Sequence, residues 1–262
     1  MPPPTSSPAL PIGIRIAGSP VLQRPEAVEM AARAAEDLGY AAVWIVDADP
    51  EVLVAAGTLA AYATERIRIG VGILVDDAGL MPSQRMALPW LSQVAPGRLT
   101  LGIAAAGLGA DAAARVVASV RAAGAPELPA PRVVLSASTA DAFDLVARAA
   151  DGWLADGVPV AELGDRWAAL RRAAADHGRA GRLALVVPAW VALSPAPLGT
   201  GRPDYQGDVA EVGADVLAAA RSGAEEVVLM PAGDPTLDEL LDLCAQVAEA
   251  LESAMTASTP AG

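Results

Sequence analysis

The chain has 262 residues, 53% of them hydrophobic, and a formal charge of −13. This length suits one α/β barrel, the apolar share supplies a large core, and the acidic balance speaks against a nucleic-acid partner, which needs clustered Lys and Arg. No apolar run reaches the about 18 residues of a membrane helix, and Met1 to Ala9, rich in Pro and Ser, lacks a basic start followed by an apolar run, so 1–9 reads as a disordered tail and the protein as cytoplasmic.

LPIGIRIAG (Leu10 to Gly18) reads as the first strand. Pro25 to Leu38 is a helix: Pro25 suits its first turn, Val28, Ala31, Ala32 and Ala35 share a face, and Gly39 ends it. AAVWIVD (Ala41 to Asp47) is nearly all apolar, as expected of a parallel strand covered on both faces. A helix over Glu51 to Thr64 precedes RIRIGVGIL (Arg66 to Leu74), the third strand. Ser83 to Val94 has helical spacing, and PGRLTLGIA (Pro96 to Ala104) is the fourth strand after a Pro-Gly turn. Ala105 to Gly124 is a glycine turn running into an alanine-rich helix. VVLSA is the fifth strand, Thr139 to Ala150 a helix, GWLAD (Gly152 to Asp156) a short sixth strand, and Ala161 to Asp176 a helix. LALVVPAWVAL is the seventh strand, with Pro188 marking an expected bulge. Ser194 to Gly207 is a long loop, Asp208 to Gly223 a helix, EEVVLM the eighth strand, and Thr236 to Met255 the last helix.

Strands alternating with helices across short connections predict parallel pairing. About eight such units predict a single-domain (β/α)8 TIM barrel of the α/β class over 10–256, with 257–262 a disordered C-terminal tail. A doubly wound open sheet is the alternative. In a barrel, chemistry belongs at the C-terminal ends of the strands. Here those ends are Asp47, Asp76 and Asp77, Ala104 to Gly109, Ser136 to Thr139, Asp156, and Met230 with Pro231.

Three absences narrow the chemistry. The chain has no Lys, no Asn and one His, His177. Without Lys there is neither a Schiff base nor a Walker lysine. One histidine and one cysteine exclude multi-His and thiolate metal sites, so no metal is expected. His177, in ADHGR, reads as a solvated helix end, and Cys244, in LLDLCAQVAEAL, as a buried core thiol.

GLGADA (Gly107 to Ala112) has the pattern G-x-G-x-x-A after a strand and at a helix start. It lies mid-chain and no acidic residue ends the next strand, so a dinucleotide-binding reading is poor. The glycines still let backbone N–H groups approach a phosphate. SAST (Ser136 to Thr139) offers a second such helix start; ordinary capping is the alternative for both.

AARAAEDLGYAAVWIVD, YATERIRIGVGILV, LSQVAPGRLTLGIA, ARAADGWLADG and ARSGAEEVVLMP occur in that order between Ile12 and Leu251. As an ordered set they resemble the luciferase-like monooxygenase family of flavin- and deazaflavin-dependent enzymes. The resemblance implies a barrel, often a homodimer, that takes FMN or F420 in its open mouth. It places a strand-three bulge beneath the cofactor ring at Gly72 and Ile73, commonly with a non-proline cis peptide. It places phosphate contacts at Ala104, Gly107, Leu108 and Gly109 and at Ser136, Ala137, Ser138 and Thr139. Asp47 matches the family's acidic residue at the end of strand two. Departures accompany these matches. Ala48 stands where the family often has histidine, AAAGLGAD lacks the family's aromatic and glutamate, and the excursion from Ala105 to Arg132 is short.

Two functions from different classes follow. One is an oxidoreductase or monooxygenase using F420 or FMN on a small organic substrate, with Asp47 contacting the ring or relaying a proton. Asp47 has an equal claim to capping the next helix. Trp44 and Trp190 are candidate pocket walls, buried packing being the favoured role of both. The other function is a degenerate barrel without catalysis, serving as a partner or ligand-binding protein. A phosphate-binding isomerase lacks the Lys, His and Glu set that its proton transfers use.

Overall fold

The computed structural model describes residues 10–257 except 18, 48, 75–79, 81, 105–109, 124–126, 138, 139 and 180. Its strands are β1 (Leu10–Ile16), β2 (Tyr40–Val46), β3 (Arg68–Leu74), β4 (Leu99–Ala104), β5 (Arg132–Ser136), β6 (Gly152–Leu154), β7 (Ala184–Leu193), β8 (Gln206–Gly207) and β9 (Glu226–Pro231). Its helices are α1 (Ser19–Leu22), α2 (Pro25–Asp37), α3 (Pro50–Ala63), α4 (Pro82–Val94), α5 (Ala110–Ala123), α6 (Ala140–Ala149), α7 (Val160–Asp176), α8 (Val209–Arg221) and α9 (Leu237–Ala257). Strands β1 to β7 pair in sequence, all parallel, and β9 joins β7 to β1. The ring of eight is closed, which confirms the TIM barrel and excludes the open sheet.

Closure follows from which faces the strands make apolar. In β1, Ile12, Ile14 and Ile16 are buried against the helical layer together with Val28, Ala31, Ala32 and Ala35 of α2. Each such buried Ile or Val contributes about 1.5–3 kcal/mol, and this outer core runs around the whole barrel. A second, smaller cluster lies on the barrel axis: Ala42, Trp44, Val134, Val186 and Val228, with Leu154 and Met230 half-buried against it.

Several features depart from the sequence reading. β3 begins at Arg68 and not at Arg66, because the Glu36 carboxylate accepts the backbone N–H groups of Glu65 at 3.2 Å, Arg66 at 2.7 Å and Ile67 at 2.8 Å. The Pro188 bulge is absent: β7 keeps its register with β9 through Pro188↔Val228. Val186 O accepts from Ala155 N at 2.8 Å, so even-numbered residues of β7 turn their backbone groups toward β6. Pairing with β6 ends at Val186, so the missing N–H of Pro188 falls where no strand continues. The long loop after β7 contains β8, which pairs with Ala192 and Leu193, and the short helix α1 follows β1. The family's bulge at Gly72 and Ile73 is also absent: β3 stays in register with β4 from Ile69 to Leu74, and no cis peptide occurs among the described residues.

Candidate ligand site at the barrel mouth

The interior of the barrel is built upward from charges at the N-terminal ends of its strands. Arg132, first in β5, makes a bidentate pair with Glu225 just before β9, at 2.6 and 2.9 Å. That hydrogen-bonded guanidinium holds Glu225 below the usual carboxylate range, against the opposing effect of burial. Arg68, first in β3, donates to the buried Glu226, which also accepts from the indole Nε1 of Trp44. These bonds fix the indole across the barrel axis.

Trp44 has room because its neighbours are glycines. It pairs in register with Gly70 of β3, and its ring also covers Gly102 of β4; a Cβ on Gly102 would lie 2.7 Å from Trp44 Cζ3. Trp44 thus closes the barrel at mid-height. Above it, at the C-terminal mouth, a cavity of about 140 Å³ remains. Its lining is mostly apolar, from Val46, Leu154, Pro188, Val228 and Met230, with small residues Gly72, Gly102 and Ala104 on one side.

Two charged residues line this cavity, Arg15 and Asp156. Arg15 of β1 pairs in register with Trp44, and its guanidinium carbon lies 5.4 Å from the centroid of the Trp190 ring. Its Nε is buried without a hydrogen-bond partner among the described residues. Burial lowers the Arg15 pKa from its ordinary value, and the Asp234 carboxylate opposes that shift. Arg15 was not singled out from the sequence. The available signal was its place in LPIGIRIAG, a lone charge alternating with Ile12, Ile14 and Ile16.

The residues expected from the sequence divide into three groups. Gly72, Ile73 and Ala104 line the cavity. Asp47, Ser136 and Ala137 lie at the same end of the barrel but outside that lining. Asp47 Oδ1 accepts from Asp49 N at 2.8 Å, and Asp49 in turn caps α3 by accepting from Glu51 N. Ser136 ends β5 opposite Leu154, and Ala137 packs half-buried on the outer core. Gly107, Leu108, Gly109, Ser138 and Thr139 lie outside the described residues, as do Asp76 and Asp77.

Trp44 is both buried packing and the cavity floor, whereas Trp190 is 49% exposed beside Arg15. His177 caps α7 at the opposite end of the barrel and bonds Asp144 at 2.7 Å. Cys244 is buried. Among the described residues, no helix is long and apolar enough to cross a membrane, and no three His, Cys, Asp or Glu side chains cluster to hold a metal ion.

A closed parallel barrel with a small apolar cavity at the C-terminal ends of its strands defines the class of protein. Residues 9–116 match the family model for luciferase-like monooxygenases, so the resemblance seen in the sequence is borne out there. The chain is similar in fold to a monooxygenase, RslO1, from Streptomyces bottropensis (TM-score 0.68, 17% identity, 93% of this chain and 99% of that one). It is similar to an F420-dependent secondary alcohol dehydrogenase in complex with an F420-acetone adduct (TM-score 0.68, 13% identity, 92% and 99%). It is likewise similar to a riboflavin lyase, RcaE, with modified FMN and riboflavin (TM-score 0.65, 12% identity, 94% and 92%). No curated protein matches the chain.

Proposed function

We propose that the chain is a luciferase-like oxidoreductase that uses F420 or FMN on a small organic substrate. The observation that carries the reading is the cavity itself: an apolar recess over Trp44, with small residues along β3 and β4, at the end of the barrel where such folds place their chemistry. Structural neighbours whose names include F420 or FMN support it. Gly72, Gly102 and Ala104 project no long side chain into the recess, which suits the flat apolar face of a ring. The cofactor, when bound, supplies a hydride or activates oxygen.

The protein's part is orientation and exclusion of water, which hydride transfer needs more than an acid–base pair. Trp44, held by Glu226, gives a rigid floor. Val228 and Met230 keep one wall dry, and Arg15 supplies positive charge beside it. Asp47 holds the turn into α3 at the same end of the barrel, outside the cavity lining, and in this reading it relays a proton. Ser136 and Ala137 lead into α6, whose start would take a phosphate tail.

A second reading, a barrel that has lost catalysis and binds a ligand or partner only, is favoured by one observation. The cavity of about 140 Å³ is below the ~300–1,000 Å³ of common small-molecule sites. Titration of the purified protein with FMN and with F420, followed in the visible range, separates the two. Saturable binding of either supports the redox reading, and of F420 alone also fixes the cofactor. Binding of neither leaves the second.

A further inference from the structure

The described inward-facing arginines fall into two kinds. At the N-terminal end of the barrel Arg132 is paired with Glu225, and Arg68 with both Glu225 and Glu226. Arg68 Nε is also buried without a partner, but carboxylates lie at both of its terminal nitrogens. At the mouth Arg15 has no ion pair within 4 Å among the described residues, although its Nε is buried and Trp190 covers its guanidinium. Burying part of a guanidinium with no carboxylate in hydrogen-bonding contact is costly, and an anion supplied from outside reduces that cost.

We infer that Arg15 is the recognition residue for a small organic monocarboxylate bound in the mouth. The anionic head pairs with the guanidinium, and the apolar body lies on Trp44 between Leu154, Val228 and Met230. The cavity sets the size of that body: a recess of about 150 Å³ elsewhere holds benzene, so roughly six carbons fit here. Nearby acids set the charge. Asp156 at the rim and Asp234, which acts on Arg15 through its field, are both exposed, and they disfavour a di- or polyanion. The inference rests on the mouth assigned above as a ligand site; its recess holds the six-carbon body or a cofactor ring but not both, so acid and cofactor compete for it whichever cofactor is used.

The test is calorimetric titration of the full chain with benzoate, cyclohexanecarboxylate and hexanoate, each beside its neutral primary amide. The expected result is saturable binding of at least one acid, about tenfold or more tighter than its amide. Arg15→Gln should bring acid and amide to similar affinity, while Arg15→Lys should retain part of the preference, with circular dichroism confirming both folds. No saturable binding of any acid, equal binding of acid and amide, or wild-type acid binding by Arg15→Gln would each overturn the inference. Acid binding that depends on Arg15 in a protein that binds neither FMN nor F420 would defeat the redox reading and leave this one standing. The reverse pattern would defeat this one alone.

Discussion

The indole of Trp44 occupies the space that a side chain on Gly102 would need, since a Cβ there would lie 2.7 Å from Cζ3. Gly70, its register partner, is crowded by the same ring. Gly102→Ala and Gly70→Ala are therefore each expected to cost about 1–3 kcal/mol by overpacking, and Trp44→Ala about 3–5 kcal/mol by leaving a cavity. Urea denaturation measures all three. In a double-mutant cycle each alanine should cost less once Trp44 is removed. Equal costs in both backgrounds would show that the indole is not what excludes a side chain.

Arg132 and Glu225 link β5 to the start of β9 across the base of the barrel, three-quarters buried and bidentate. Arg132→Met is expected to lower stability by about 1–3 kcal/mol through the lost charge-assisted bonds. The pH dependence has a definite sign. Glu225 has a depressed pKa in the folded state, so its contribution is complete above its unfolded value of about 4.3 and declines as pH falls through the lower folded value. The urea midpoint should therefore fall with acidification below about pH 4.5, and fall less steeply in Glu225→Gln. A parallel decline in both proteins would remove Glu225 from the account.

Cys244 is buried in α9, where its backbone carbonyl accepts a hydrogen bond from Tyr40 at 2.8 Å. Burial pushes the thiol up to about 12, so almost no thiolate exists at neutral pH. A thiol reagent such as dithionitrobenzoate is expected to label the native protein at the rate of global unfolding and the urea-unfolded protein at once. Rapid labelling of the native state would mean that α9 opens locally.

The strand order was legible because apolar runs such as AAVWIVD and LALVVPAWVAL alternate with helical spacing, and parallel strands covered on both faces must read that way. Cys244 and His177 were legible for the same local reason. The start of β3 was not, because the contact that ends the preceding turn comes from Glu36, some thirty residues away in sequence. Pro188 looked like a bulge because nothing local shows that β6 stops beside it. The seat of Trp44 needed three strands in register, and the orphaned Nε of Arg15 needed the barrel closed. Gly72 and Ile73 were reached through family resemblance and Ala104 as the end of the fourth strand, and all three line the cavity, although no bulge carries them there.

The mouth as the cofactor site is tested most directly by titrating wild type and Ala104→Trp side by side with F420 and with FMN. Ala104 ends β4 and lines the cavity, so an indole at that position fills the recess. Wild type is expected to bind at least one cofactor saturably, and the variant, if its melting curve shows it folded, to bind it about tenfold or more weakly. Binding of neither cofactor by wild type, or undiminished binding by the filled variant, would contradict the account.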